Sequence, residues 1–420
     1  MPTNHPTVLN LSRTQAIVVL GTALAYAFRD GLSAIFRWLT LISGTGPAWF
    51  LVDAFGAVCV GIFAYELGYK RGNWLAITTL SILAFAVGIG SQLVDSNLVW
   101  LMSGLKMYFP LFVGWLLADF SAQNKIFRNG MLGLCVISII GLFLDQFFEF
   151  PWEGLSISQF GQEKELARQW WIGERERVAG FGGVSAASAK IALFSYVFIH
   201  RTLRPASSLL LLLGVIVACE VATNRTTMAI AMVLFVYIFA ESYLAEGLRD
   251  VRSHRIFAMA SFLVIPLPLI LMAVIGPLDL AAYDFRLASL ETRIETSWFA
   301  PFTILMERQP AALLFGCGTG CFTGAMNYTS WGLFIVPIDH FYIILISNLG
   351  LAGLIVIAAL FMSTLDETDR SKLLLLVAFN LTGLMTENFS PNLCLISLGY
   401  ATSRILAWQW GVPKTEIVRL

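Results

Sequence analysis

Residues 207–241 read SSLLLLLGVIVACEVATNRTTMAIAMVLFVYIFAE, and this stretch decides the class of fold. Two apolar blocks, 207–223 and 225–241, meet at a polar turn that carries Arg225. Each block is close to the ~20 residues that an α-helix needs to cross a hydrocarbon core of ~30 Å. The stretch therefore predicts two membrane-spanning helices joined by a short turn.

The same pattern recurs along the whole chain of 420 residues. Hydrophobic residues make up 57% of it and charged residues 13%, and its mean hydropathy is +0.75, whereas a soluble domain carries ~25% charged residues. The apolar residues come in long blocks rather than in the alternating ~10-residue segments of barrel strands. We predict an all-α integral membrane protein, a single polytopic domain over residues 1–420 with about twelve transmembrane helices.

Lysine and arginine set the predicted orientation, because short cytoplasmic loops contain them in excess. The cations of the short connections all fall on one side: Lys70, Arg71, Lys125, Arg128, Arg201, Arg204, Arg249, Arg252, Arg255, Arg370, Lys372, Lys414 and Arg419. Both termini are then cytoplasmic. Two long connections, 149–182 and 278–337, lie on the outer face, and their several arginines are not explained by the orientation rule.

Charge spacing predicts local helices in both long connections. In QEKELARQWWIGERERVAGFGG, acids and bases at helical spacing predict a surface helix that ends before Gly180. In the second connection, Arg286 and Arg293 are spaced so that they share one helix face, and the turn GCGTG follows them.

Composition and spacing give no support to several other classes of function. The net charge is zero, so we predict no binding of nucleic acid. The four histidines are isolated and lack ligand spacing, and the glycine-rich pieces lack the GKS or GKT of a P-loop, so we expect neither a metal site nor a cofactor. Cys317 and Cys321 would pair only if their loop faces an oxidising compartment, and spacing alone leaves this open.

Three arginines at outer helix ends are the main candidates for binding. Arg177, Arg225 and Arg293 lie in or beside three different outer connections, which a helical bundle can bring together over one cavity. Guanidinium groups are fixed forks that match phosphate oxygens, so a converging set would suit the pyrophosphate of a lipid carrier. The alternative is that the three are unrelated surface residues, with Arg225 reaching the lipid headgroups.

Lysines inside the apolar blocks form a second group of candidates. Lys106 and Lys190 are costly in a membrane unless they face a cavity or a partner. Their candidate partners are Asp53, Glu66, Asp145 and Glu220. Structural pairing is the simpler interpretation, and Lys190 is kept as a weaker site candidate because it follows the loop that carries Arg177.

Asp339 and His340 stand side by side just before an apolar run, in DHFYIILISNLGLAG. A neutral imidazole can take a proton from a hydroxyl nucleophile, and so can a carboxylate whose pKa is raised by burial. The alternative is that Asp339 caps the following helix and His340 lies at the membrane interface. Local sequence does not choose between these two interpretations.

Taken in order, five motifs resemble those of the O-antigen ligase and polymerase superfamily of bacterial envelope enzymes. They are Arg177 in RVAGFGG, Arg225 in NRTT, Arg293 with Trp298 in TRIETSWFA, the turn GCGTG, and the run that opens with Asp339. The similarity covers about 170 to 360.

The resemblance implies a glycosyltransferase with a membrane-embedded fold of the C type (GT-C). It implies an inverting, metal-independent transfer from a glycan donor linked to undecaprenyl pyrophosphate. Arg177, Arg225 and Arg293 would hold the pyrophosphate, Asp339 or His340 would be the base, and Arg286, Lys190 and Tyr342 are weaker candidates. The enzyme would sit in the bacterial inner membrane with its active site facing the periplasm.

The register of the last motif favours a polymerase. In ligases a histidine precedes the glycine of the closing motif by eleven residues, and here that place before Gly350 is taken by Asp339, with His340 one residue nearer. The favoured function joins lipid-linked glycan repeat units to one another, as O-antigen and exopolysaccharide polymerases do. The alternatives are a ligase that transfers the glycan to lipid A core and, less favoured because the charges gather on one face, a transporter of the same lipid.

Overall fold

The computed structural model describes residues 11–119, 124–168, 170–172, 175–275, 291, 293–334 and 338–407. The molecule is mostly helical, at 77%. In chain order the first nine α-helices are α1 (Arg13–Gly31), α2 (Ser33–Ile42), α3 (Leu51–Phe63), α4 (Trp74–Leu93), α5 (Leu98–Lys106), α6 (Phe109–Leu116), α7 (Lys125–Leu144), α8 (Ser185–Ile199) and α9 (Pro205–Val221). The others described are α10 (Arg225–Phe239), α11 (Val251–Ser261), α12 (Leu267–Ile275), α13 (Ala300–Arg308), α14 (Ala312–Phe315), α15 (Phe341–Leu349), α16 (Leu351–Asp366), α17 (Arg370–Met385) and α18 (Asn392–Ala401).

Asparagine caps decide where several of these helices begin. Asn73, Asn97, Asn124 and Asn224 precede α4, α5, α7 and α10, and each side chain accepts a hydrogen bond from a backbone N–H of the first turn. Such caps satisfy donors that have no partner within the helix. These asparagines thus mark the starts of helices at places where hydropathy alone would not separate neighbouring apolar blocks.

Five helical segments among the described residues are long and apolar enough to cross a membrane. They are Gly46–Tyr69, Trp74–Leu93, Leu98–Leu116, Lys125–Leu144 and Arg225–Leu244. A sixth is obtained if α1 and the helix after it are counted as one span, although the two are bent by 87°. These segments confirm the prediction of a helical membrane protein. The number of twelve spans and the C type fold stay predictions.

The first long connection forms two short hairpins rather than the predicted surface helix, so that prediction was wrong. Strand β1 (Ser156–Gln159) pairs antiparallel with β2 (Gln162–Glu165), and β3 (Trp170–Ile172) pairs with β4 (Arg175–Arg177). Phe160 and Gly161 both have positive φ, which suits a two-residue hairpin turn. Turn chemistry therefore outweighs the helical charge spacing, whose pairs are worth only ~0.2–0.5 kcal/mol each.

The core is held by helices that approach backbone to backbone. Gly114 in α6 faces Gly399 in α18, and a Cβ at either position would lie 2.2 Å from a carbonyl oxygen of the other helix. Only glycine permits this separation, because any side chain would push the two helices apart. The close pair fixes α18 against α6 near the C-terminal end of α18, which begins after residues 386–391, the connection from α17.

Polar side chains collect at the two ends of the bundle. We call basic end the group formed by Asn73, Arg201, Glu241, Arg255, Glu367, Arg370 and Arg404, whose segments are joined by hydrogen bonds and ion pairs. We call loop end the group formed by the described residues 145–168, 170–172, 175–184, 222–225, 293–298, 338–340 and 386–391. The basic end gathers connections that the sequence analysis placed on the cytoplasmic side.

Candidate active site

Arg177 is the last residue of β4, and the turn that follows it is hydrogen-bonded to a residue at the end of α7. The carboxylate of Asp145, just past the end of α7, accepts hydrogen bonds from the backbone N–H groups of Ala179 (2.8 Å) and Gly180 (2.6 Å). Gly180 has a φ of +60° and lies close to the backbone of Gly141, so a larger residue would not fit. Asp145 therefore positions the segment that carries Arg177.

The side chain of Arg177 reaches the turn between α9 and α10. Its Nε donates to Thr223 Oγ1 at 3.1 Å, and the backbone of Thr223 is left-handed, with φ of 51°. Arg225 follows at the first position of α10, where it is exposed and forms no ion pair among the described residues. The structure thus places Arg177 beside the turn that carries Arg225.

Arg177 and Arg293 lie within electrostatic reach of each other. Arg177 is half-buried, and burial lowers the pKa of its guanidinium, while the positive charge of Arg293 lowers it further. Arg293 begins a π-helical turn, Arg293–Ser297, and comes from the second long connection. Two guanidiniums from distant parts of the chain are therefore held close together, as an anion site requires.

Arg293 also binds Asp339. Its Nε and Nη2 approach Asp339 Oδ2 at 3.2 and 3.1 Å, and the backbone N–H of Asp339 donates to Ser297 Oγ at 3.3 Å. Burial raises the pKa of Asp339, while Arg293, and to a smaller extent Lys190, act in the opposite direction. The net shift is upward, so this carboxyl is more basic than an exposed aspartate.

Lys190 joins the same group from α8. Its ammonium donates to the backbone carbonyl of Glu387 at 2.8 Å and to that of Ser390. Burial raises the pKa of Glu387, the charge of Lys190 lowers it, and the charge of Asp339 raises it again. Lys190 therefore fixes residues 386–391 with carbonyl partners, not with the acids that the sequence analysis named.

The imidazole of His340 is engaged in structural hydrogen bonds. It is fully buried, its Nδ1 accepts a hydrogen bond from the backbone N–H of Ile343, and its Nε2 lies 3.2 Å from the carbonyl of Val264. Because a carbonyl can only accept, Nε2 carries the proton and both ring nitrogens are engaged. Burial lowers the pKa of His340 to about 4. His340, rather than Asp339, is the helix cap, which corrects the capping assignment made from the sequence.

Of the weaker candidates, Lys190 belongs to the group, whereas Tyr342 does not extend it. Tyr342 is fully buried, and its hydroxyl donates to Asn380, whose amide in turn donates to Ser261 at 2.8 Å. Arg286 lies outside the described residues. The group therefore consists of Arg177, Lys190, Arg293 and Asp339, with Arg225 nearby.

The GCGTG turn is a structural element. Cys317 and Cys321 form a disulfide, which answers the question that their spacing left open. Gly318 has a φ of +98°, and a Cβ there would lie 2.4 Å from the Cα of Gly90 in α4. The turn is thus wedged against α4, where only a glycine backbone fits.

Lys106, the other lysine inside an apolar block, has a partner outside the site. Lys106 lies 3.7 Å from Asp53, one of the acids named from the sequence as its possible partner. Among the described residues, no group of three or more histidine, cysteine, aspartate or glutamate side chains is placed to hold a metal ion.

Sequence reasoning missed two contributors to the site. Thr223 precedes the motif that was noticed, and Glu387 lies in a short connection without a recognisable motif. The polar residues of TENFS, between two apolar blocks, were the available signal for Glu387. Its position near Lys190 depends on packing between α8 and the α17–α18 connection, which no local pattern reports.

Comparison with protein-family models, with curated proteins and with solved structures found no match to the chain. The function is therefore argued from the geometry of the loop end.

Proposed function

We propose that the chain is a membrane glycosyltransferase that joins glycan repeat units carried on undecaprenyl pyrophosphate into a polysaccharide. The observation that supports this is the group formed by Arg177, Arg293 and Asp339. Arg293 contacts a carboxyl of raised pKa, and Arg177 lies within electrostatic reach of Arg293. Such a group pairs an anion receptor with a general base, the two functions that a glycosyl pyrophosphate donor needs.

The proposed reaction is an inverting displacement. A hydroxyl oxygen of the acceptor glycan attacks the anomeric carbon of the donor, and the bond from that carbon to the pyrophosphate oxygen breaks. The pyrophosphate leaves with the electron pair, and Arg177 and Arg293 stabilise its charge. The hydroxyl proton passes to the carboxylate of Asp339.

The ion pair between Arg293 and Asp339 gives the site a resting state. The guanidinium keeps the carboxylate ionised before the donor binds. A guanidinium has five N–H donors, so Arg293 can bind a phosphate oxygen while it releases part of its contact with Asp339. Donor binding then leaves the carboxylate free to take a proton.

Reconstituted protein tests the proposal. The purified chain in liposomes is given undecaprenyl-pyrophosphate-linked repeat units, with and without lipid A core, and the products are separated by size. A polymerase makes a ladder of repeat units without core. A product found only on lipid A core would indicate the ligase, and donor that crosses the bilayer unchanged would indicate a transporter. Either result contradicts the proposal.

A further inference from the structure

A cavity of about 300 Å³ lies beside Arg177, between the end of α7 and the segment before α8. It is lined by Asp145, Gln146, Phe147, Phe148, Glu149, Trp152, Glu153, Ala167, Arg168, Arg177, Val178 and Ala179. Its volume is at the lower end of the ~300–1,000 Å³ typical of small-molecule sites. It therefore suits a single sugar ring better than a long glycan.

The lining combines the groups that recognise a sugar. Carboxylates and guanidiniums, here Glu149, Glu153 and Arg168 among others, accept from and donate to hydroxyl groups. Aromatic rings offer a flat apolar surface to the C–H face of a pyranose, and Phe147 and Phe148 are exposed rings of the lining. An apolar ligand would leave these polar groups without water or partners, which costs free energy.

The cavity wall is fixed before any ligand arrives. Glu153 Oε1 accepts from the backbone N–H of Phe150 at 2.8 Å, and the ring of Phe150 stacks on Trp152 at 4.6 Å. Trp152 is only 5% exposed, and its indole Nε1 has no acceptor among the described residues. Trp152 is therefore a fixed part of the wall.

The charged groups that line the cavity favour neutral sugars over sugars that carry a carboxylate. Three carboxyl groups, of Asp145, Glu149 and Glu153, line it beside only two guanidiniums, of Arg168 and Arg177. Burial raises the pKa of Glu153, and the charges of Asp145 and Glu149 raise it further. A carboxylate on the sugar would meet repulsion here, whereas hydroxyl and amide groups would not.

Arg177 connects this cavity with the proposed pyrophosphate site. It lines the cavity and also lies within electrostatic reach of Arg293. We propose that the cavity binds the sugar joined directly to the pyrophosphate of the donor, and that it accepts neutral sugars and rejects acidic ones. This inference rests on the proposed function and adds to it the location and the charge class of the first sugar.

Binding to purified full-length protein in nanodiscs tests the inference. The probes are undecaprenyl pyrophosphate alone and the same lipid carrying N-acetylglucosamine, galactose or glucuronic acid. We expect at least one neutral sugar to bind at least fivefold more tightly than the bare lipid, and the glucuronate to bind at least tenfold more weakly than that sugar. Glucuronate binding equal to that of the best neutral sugar would overturn the charge rule.

Two variants test the assignment to this cavity. Glu149→Ala and Glu153→Ala should remove the gain that the sugar provides while binding of the bare lipid stays within twofold. Glu163→Ala is the matched control, because Glu163 is exposed in β2 and does not line the cavity. Thermal unfolding checks that each variant folds. Equal weakening of bare and sugar-bearing lipid, or no change in either, would refute the cavity assignment.

The two proposals fail in different ways. If undecaprenyl pyrophosphate itself does not bind the wild-type protein, the proposed function is wrong. If the bare lipid binds and no sugar adds affinity, only the assignment of the cavity is wrong.

Discussion

The basic end and the loop end both contain cationic side chains, but the partners of these side chains differ. At the basic end, Arg201 and Arg370 lie 3.2 and 3.6 Å from one oxygen of Glu241, and Arg404 lies 3.3 Å from Glu367. At the loop end, Arg177 donates to a threonine hydroxyl and Lys190 to backbone carbonyls. Neutral partners hold a cation in place without cancelling its charge.

This difference separates a structural cluster from a receptor. An arginine already paired with a carboxylate has less to gain from an anionic ligand, because the ligand must first displace the acid. Arg293 is the exception at the loop end, since it is paired with Asp339 and binds the donor only by releasing part of that contact. A half-buried arginine held by a hydroxyl keeps most of its charge for the ligand. The loop end is therefore the place to expect a pyrophosphate, and the following variants test that contrast.

The largest effect is expected at Arg177. Arg177→Ala should lower the rate of glycan transfer on the order of 10²- to 10³-fold, since it removes a preorganised donor from the developing charge of the leaving group. Arg252→Ala is the matched control, because Arg252 is an exposed arginine of α11 and lies outside the loop end. The rates are measured in liposomes at saturating donor. Similar losses of rate in both variants would contradict the claim that the arginine of the loop end has a special part in transfer.

The next effect separates Asp339 from His340. Asp339→Asn should slow transfer by about 10²-fold or more, because an amide cannot accept the hydroxyl proton. His340→Asn should retain most of the activity, because asparagine is also a good helix cap and both ring nitrogens of the buried His340 are engaged with backbone groups. A silent Asp339→Asn together with an inactive His340→Asn would return the role of base to the histidine.

The pH profile provides an independent control for that assignment. The base must be ionised, and the pKa of Asp339 is raised by burial. Transfer should therefore fall as the pH drops through a value above that of an ordinary aspartate, and this acidic limb should be absent from the residual activity of Asp339→Asn.

Parts of this contrast could be predicted from the sequence. The apolar blocks predicted helices, and the count back from Gly350 favoured Asp339, which is the member of the pair that contacts Arg293. Both predictions depend on a local repeat or a fixed spacing in the sequence. The three arginines were likewise found from their places at helix ends.

Other parts depend on contacts between distant segments. The hairpin of β1 and β2 is held by Gln162, which donates to the carbonyl of Asn327 at 3.2 Å, and by Lys164, which donates to the hydroxyl of Tyr328 at 3.3 Å. The spacing of charges within the connection indicated a helix, because it contains no information on these distant partners. The same holds for Lys190 and Glu387, which lie far apart in the chain.

An intermediate effect is expected at the basic end, and on stability instead of rate. Glu241→Gln leaves Arg201 and Arg370 without their shared carboxylate, and it should lower the free energy of unfolding by about 1–3 kcal/mol, less than for a fully buried pair because the arginines are partly exposed. Transfer per folded molecule should not change. Thermal unfolding and the liposome assay measure the two quantities, with exposed Glu246→Gln as the control. A loss of transfer at unchanged stability would assign the basic end a part in the reaction.

The smallest effect is expected at Arg225, the most exposed of the three candidate arginines. Its long side chain must lose up to ~2 kcal/mol of rotamer entropy to reach an anion, whereas Arg177 is already held by Thr223. Arg225→Ala should therefore lower transfer by less than about tenfold. Because exposed charges are screened over ~10 Å at 0.1 M salt, this loss should shrink as the ionic strength rises, while the loss in Arg177→Ala should persist. A salt-independent loss as large as that of Arg177→Ala would show instead that the bound pyrophosphate draws Arg225 into the same enclosed site.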